Sequence, residues 1–248
     1  VSSQIVAPVS PLWIDRGRVG LGRSIDPAAA AATAFAAQLR AAGVNVTGEP
    51  VQAEAAESAK VLAAVQSAPV SNILDRMLVT SDNEVAEVML RQAAIGAGKP
   101  GSFDSGVTTV KAALKSADVS TAGLELHDGS GLSRKNRIDP RTLAEAFEHA
   151  ANSADTATLV SAVPVGGLNG TMKNRFHQAT SARGLVHAKT GTLTGVHSLA
   201  GIVTLPGGRP VAFAILADKT EGVNPLETQA AIDQVVADLV ACACRATN

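Results

Sequence analysis

The chain is 248 residues long, 46% hydrophobic and nearly neutral, with a formal net charge of −1. That length gives one large domain or two small ones around a sizeable core, and the charge argues against nucleic acid or an acidic membrane surface as the main partner. With 2% aromatic residues and no tyrosine, base stacking on single strands and any mechanism needing a tyrosine base are excluded.

In chain order, residues 1–25 read as an extended opening segment, Gln4 to Val9 and Leu12 to Ile14, broken by Pro8 and Pro11, with a turn at 15–18. Asp26 then serves as an N-cap with Pro27 in the first helical position, and Gly43 closes an alanine-rich helix carrying Phe35 and Leu39. Val44 to Val46 reads as a short strand, and 48–58 as polar surface. Val70 to Leu78 predicts a helix with Ile73, Leu74, Met77 and Leu78 on one side. Glu84 to Ala97 predicts another, with Val85, Val88, Met89 and Ala93 as its apolar stripe. Val107 to Ser116 repeats the pattern, 125–134 is a loop, and Asp139-Pro140 starts a helix to about Ala151. Residues 164–171 form a glycine-rich turn with no following Gly-Lys, so not a phosphate loop.

After Lys189 the pattern changes from period 3.6 to strands. Residues 186–193, 197–205 and 210–217 read as three consecutive antiparallel strands, the last two joined by a hairpin at 206–209. Asn224-Pro225 opens a C-terminal helix whose Ile232, Val235, Val236, Leu239 and Val240 face the sheet. Helices, an antiparallel sheet and a packing helix give a mixed α+β class with segregated layers.

Cys242 and Cys244 are the two cysteines; i, i+2 on a helix points them apart, which predicts free buried thiols or pairing with a cysteine elsewhere. Five scattered His, with no His-Glu-x-x-His and no paired Cys-x-x-Cys, give a metal site little support, and no cofactor is implied. No apolar run reaches membrane-spanning length. No signal peptide opens the sequence, which leaves the compartment open because mature exported proteins lack one too.

The most informative stretch is Lys189-Thr190-Gly191-Thr192, a cation, two hydroxyls and a glycine on a predicted strand. Alternation puts Lys189 and Gly191 on one face and Thr190 and Thr192 on the other, and Gly191 leaves room for a ligand backbone. By itself this is a short word that occurs by chance. Ser81-Asp82-Asn83 precedes it by 108 residues and taken alone fits a capping box, with Ser81 as N-cap and Glu84 three residues on. Between the two lies Asp128-Gly129-Ser130-Gly131-Leu132-Ser133-Arg134. Ser-Asp-Asn with Lys-Thr-Gly is a pairing found in penicillin-binding proteins and class A β-lactamases.

With these motifs, and with matching stretches at 71–90, 127–134, 168–175 and 187–201, the sequence resembles the D-alanyl-D-alanine carboxypeptidase/endopeptidase family, the low-molecular-mass class C penicillin-binding proteins. The resemblance runs from about Asp26 to the C-terminus and implies a penicillin-binding D,D-peptidase domain over 26–248, of the transpeptidase and serine β-lactamase type. It implies peptidoglycan stem peptide and β-lactams as partners and an extracytoplasmic location. One family motif, the Ser-x-x-Lys that supplies the nucleophile and its base, is absent, because no serine here has a lysine three residues later. The chain therefore looks like the C-terminal part of such a protein, with the nucleophile on a missing N-terminal segment.

The resemblance also implies roles. Lys189 and the Thr192 hydroxyl hold the terminal carboxylate of a D-Ala-D-Ala peptide, which adds as a strand along 186–193. The Thr192 N–H is one oxyanion donor. Ser81 relays a proton to the leaving amine, Asn83 orients the substrate amide, and Asp82 fixes its loop. Thr190, Gly191, Ser130 and Gly131 line the substrate, and Arg134 meets a diaminopimelate carboxylate. Ser81 and Lys189 should thus converge on one cleft within a water-bridged hydrogen bond. Two alternatives stand beside this reading. One is a catalytically inactive wall-peptide or penicillin-binding homologue. The other is a class A β-lactamase, disfavoured because no Glu-x-x-Leu-Asn lies between the motifs: Glu125 is followed by Leu-His-Asp, and Glu145 and Glu148 sit on a predicted helix.

Overall fold

The computed structural model describes residues 5–242, and the chain divides into two compact units, Val1–Ala68 and Pro69–Asn248. In the first unit, Asp15–Gly17 forms a 3-10 turn, and β1 (Arg18–Val19) pairs antiparallel with β2 (Gly22–Arg23). α1 (Pro27–Ala41) starts where the cap predicts, with the Asp26 side chain accepting from the Ala29 N–H at 3.0 Å. Residues 44–46 form no strand; Val44 is exposed and meets no second strand, and an isolated strand of that length leaves its backbone groups without partners.

The second unit opens with α2 (Val70–Thr80), α3 (Asn83–Gly96), α4 (Phe103–Ser116), α5 (Pro140–Asn152) and α6 (Ala157–Ala162). Ser102 caps α4 by accepting from the Ser105 N–H, so this helix begins four residues before the expected Val107. The six-residue α6 has too few turns for its period to stand out in the sequence; it packs against α2 and α5. On α2, Ile73, Leu74, Met77 and Leu78 do share a side, but every one of them is only half-buried.

β3 (Val186–Leu193), β4 (Val196–Thr204) and β5 (Pro210–Ala217) form an antiparallel sheet in that order, with α7 (Pro225–Cys242) after them. The β3–β4 register runs unbroken from Val186↔Val203 to Leu193↔Val196. One face, with Val186, Ala188, Leu199, Val203 and Phe213, packs on Ile232, Val236 and Val240 of α7. α5 packs against β4 and β5.

Two expectations about α7 are corrected. Val235 is 50% exposed, while Asp233 is 5% exposed and belongs to the buried stripe. An acid counts as a solvent position when a helix is read by hydropathy, which shifts the inferred face. Asp233 is buried because Arg175 donates to it through Nε at 3.0 Å and Nη2 at 2.6 Å, and the Phe176 N–H donates at 2.8 Å. Cys242 is disulfide-bonded and exposed, not a free buried thiol. Cys242 is the last described residue of α7, and Cys244 lies outside the described residues.

Candidate active site

β3 has two different edges. Its inner edge bonds β4. On its outer edge the Gly166 N–H donates to the Val186 carbonyl at 2.8 Å, and the Ala188 N–H to the Pro164 carbonyl at 2.9 Å. Residues i and i+2 of a strand turn their N–H and C=O the same way. Thr190 and Thr192 therefore direct theirs outward as well, beyond the point where the 164–166 segment stops pairing. The result is a short stretch of open strand edge at the Lys-Thr-Gly-Thr sequence.

Lys189 lies on the face away from the α7 core. Its ammonium donates to the Ser81 hydroxyl at 2.8 Å and to the Thr190 carbonyl at 2.8 Å, which sets the cation against the open edge. Contact with Ser81 is direct, with no water needed between them. Burial lowers the Lys189 pKa from 10.5 to about 8, because the charged form is the one that loses hydration.

Ser81 is presented by a tight junction between α2 and α3. It is the C-cap of α2 with φ +54°, in the left-handed region, and its N–H and that of Asp82 both bond the Met77 carbonyl. The N-cap of α3 is Asp82, whose carboxylate accepts from the Val85 N–H at 3.2 Å. The capping box centred on Ser81 is therefore corrected by one residue. Since Asp82 does the capping, the Ser81 hydroxyl is left to meet Lys189. A non-glycine residue in this conformation stores about 1–3 kcal/mol of strain, which functional sites commonly hold. Asn83 opens α3, half-buried, and its side chain makes no hydrogen bond among the described residues.

Gly170, at φ +50°, brings a turn against the end of α2: a Cβ there would collide with the Val79 carbonyl oxygen. The next residue, Thr171, shares a hydrogen bond of 2.9 Å with Thr190, hydroxyl to hydroxyl. No motif assigned Thr171 a role of its own; its only signal was its place in the matching 168–175 stretch. Thr192 is exposed at the strand end. Gly191 answers a need inside the sheet too, since a Cβ there would collide with the Ser198 hydroxyl.

The 128–134 loop forms the remaining wall. Asp128, 5% exposed, accepts from the Gly131 N–H at 3.0 Å, the Ser133 N–H at 2.5 Å and the Asn136 side chain at 2.7 Å. The Ser130 hydroxyl is donated inward to Glu87, so Gly131, exposed and at φ +81°, is what the loop presents outward there. Arg134 donates to the Thr194 carbonyl at 2.8 Å, one residue past the end of β3. No sequence motif marks Glu87. The most buried face of α3 carries Glu84, Glu87, Leu90 and Ala94 rather than the purely apolar stripe expected. Gly129 is needed where the loop meets α3, because a Cβ would collide with the Ala86 carbonyl oxygen. Gly129→Ala should therefore cost about 1–3 kcal/mol as the loop is forced off the helix; unchanged urea-denaturation midpoints would contradict that packing.

Among the described residues, no cluster of His, Cys, Asp and Glu could hold a metal ion, and no helix is long and apolar enough to cross a membrane. A cavity of about 430 Å³ lies between α2, α3, α4 and α5, and Met77, Ala86, Leu90, Leu124, Ile138 and Leu143 are among its lining residues.

Residues 8–239 match the D-Ala-D-Ala carboxypeptidase 3 (S13) family. The chain is 37% identical over 251 residues to carboxypeptidase DacB of Mycolicibacterium smegmatis, covering 97% of this chain and 53% of that protein. It is 36% identical to a D-alanyl-D-alanine carboxypeptidase of Actinomadura sp. strain R39, covering 94% and 44% respectively. The crystal structure of penicillin binding protein 4 (dacB) from Haemophilus influenzae superposes with a TM-score of 0.76 at 30% identity, covering 87% of this chain and 49% of that one. The chain thus spans about half the length of the relatives it matches.

Proposed function

The chain belongs to the D-Ala-D-Ala carboxypeptidase 3 (S13) family, and on that footing we propose that it is the peptide-holding part of an extracytoplasmic peptidoglycan D-alanyl-D-alanine carboxypeptidase or endopeptidase, acylated by β-lactams. The observation that carries this reading is the Lys189–Ser81 contact of 2.8 Å beside the open edge of β3.

A stem peptide ending in D-Ala-D-Ala adds as a strand at Thr190 and Thr192, with backbone hydrogen bonds for affinity. Its terminal carboxylate takes the Lys189 ammonium and the Thr192 hydroxyl, a charge-assisted contact of about 1.5–3 kcal/mol. The Thr192 N–H faces the oxygen that becomes negative during attack. Asn83 orients the substrate amide, and Gly191 keeps the strand surface low. Ser130 acts on the substrate only through the loop it holds, and Gly131 borders the cleft. Arg134 keeps donors beyond the one spent on Thr194, and these meet an acidic side chain on the peptide.

The nucleophile comes from a Ser-x-x-Lys outside these 248 residues, in this proposal on an N-terminal segment. Its Oγ attacks the penultimate D-Ala carbonyl carbon, and the C–N bond to the terminal D-Ala breaks. The proton reaches the leaving amine through Ser81, and water then cleaves the acyl-serine ester. The apolar cavity beside the Ser81–Asn83 junction is where a helix of that segment would find a surface to bury. The half-buried stripe of α2 fits the same reading.

The test is intact-protein mass after incubation with a penicillin. The 248-residue chain should gain no mass, whereas the same chain joined to a family Ser-x-x-Lys segment should gain one penicilloyl group. A stoichiometric adduct on the short chain would place the nucleophile within it and overturn the roles assigned to Ser81 and Lys189. A second reading, a catalytically inactive wall-peptide-binding homologue, draws on one observation, the absence of Ser-x-x-Lys from the sequence. It predicts peptide binding without turnover even after the segment is supplied.

A further inference from the structure

Glu87 is 0% exposed, on α3 one turn after Asn83. A buried carboxylate is costly unless hydrogen bonds replace its water. Here the Gly129 N–H donates to it at 2.9 Å, the Ser130 N–H at 3.1 Å, and the Ser130 hydroxyl in a third, short bond. All three donors come from one loop, 42 and 43 residues away in sequence. The same loop is stiffened internally by Asp128 and ends in Arg134, whose guanidinium is fixed on Thr194 at 2.8 Å. A continuous set of bonds therefore runs from the first turns of α3, beside Asn83, across the loop to the end of β3.

We propose that Glu87 is a positioning residue: by gripping Gly129 and Ser130 it sets where Arg134 stands at the end of β3, and so governs selection of peptides with an acidic side chain. This rests on the peptide-binding reading above, and the side chain itself never touches the peptide. A structural role alone would weaken all ligands together. A positioning role acts on the one contact that Arg134 makes.

The experiment uses the 248-residue chain and two peptides ending in D-Ala-D-Ala, one with a free side-chain carboxylate and one with that group amidated, together with amide hydrogen exchange. Glu87→Gln keeps the size but turns one acceptor atom into a donor facing N–H groups. It should speed exchange at Gly129 and Ser130 by about tenfold and reduce the preference for the acidic peptide by about tenfold, with affinity for the amidated peptide unchanged. Ser130→Ala, which removes one of the three bonds and leaves the backbone intact, should move both readouts the same way by less. Unchanged preference in both variants, or equal losses for both peptides with a lowered Tm, would overturn the proposal. If the wild type binds neither peptide, the peptide-binding reading and the selectivity role both fall; protected exchange at 129 and 130 in Glu87→Gln would show in addition that Glu87 does not hold the loop.

Discussion

Asp233→Ala is expected to destabilise the protein by about 3–5 kcal/mol, because it leaves the Arg175 guanidinium buried without its counter-charge. Arg175 and Asp233 are 7% and 5% exposed, and the carboxylate also accepts the Phe176 N–H. One truncation thus orphans a cation and a backbone donor at the same place. Phe176 and Met172 lie in the same core as α7, so the loss should loosen the turn that carries Thr171 as well. Replacing both partners, as Arg175→Met with Asp233→Leu, should recover the part of the loss that comes from the unpaired cation, while the Phe176 N–H stays without its acceptor. Urea denaturation of the single and double variants beside wild type provides the check. A single variant within about 1 kcal/mol of wild type, the range of exposed pairs, would show that the pair is far more hydrated than its burial implies.

The second large effect belongs to Lys189. Lys189→Met should lower affinity for a peptide with a free D-Ala-D-Ala carboxylate by about 10–100-fold at pH 7, the worth of a charge-assisted hydrogen bond. In the wild type the same affinity should fall about tenfold per pH unit above a pH of about 8, where the ammonium loses its proton. Stability should move the opposite way. The folded pKa is depressed below the unfolded one, so between about 8 and 10.5 the unfolded chain holds more protons and wild-type stability rises with pH. Below that window both states are charged, and the folded chain bears the whole cost of burying the ammonium. The stability difference between wild type and Lys189→Met should therefore shift in favour of wild type as pH rises from 8. Binding titrations and denaturation midpoints from pH 6.5 to 10 measure both. Wild-type affinity that stays flat across pH 8 to 10 would remove Lys189 from the carboxylate site.

The sequence by itself determined most of the elements. The Asp26-Pro27 and Asp139-Pro140 starts, the change of period after Lys189 and the hairpin at 206–209 are local signals, because caps, turns and alternation depend on neighbours in the chain. It also brings Ser81-Asp82-Asn83, the 128–134 loop and Lys189-Thr190-Gly191-Thr192 together as motifs.

Tertiary structure decided what those motifs do for one another. Whether Ser81 caps α3 or faces Lys189 depended on a one-residue shift of the helix start, which both Ser81 and Asp82 could satisfy locally; the choice lies in the left-handed turn at Ser81 and in the sheet brought against it. Glu87 and Asp233 were illegible for a shared reason. A carboxylate in a helix is read as a solvent position, and its burial becomes favourable only through donors 42 to 58 residues away, on Gly129, Ser130, Arg175 and Phe176. The open edge of β3 is of the same kind. Which residues of a strand stay unpaired depends on where the neighbouring 164–166 segment stops, and only the folded chain fixes that.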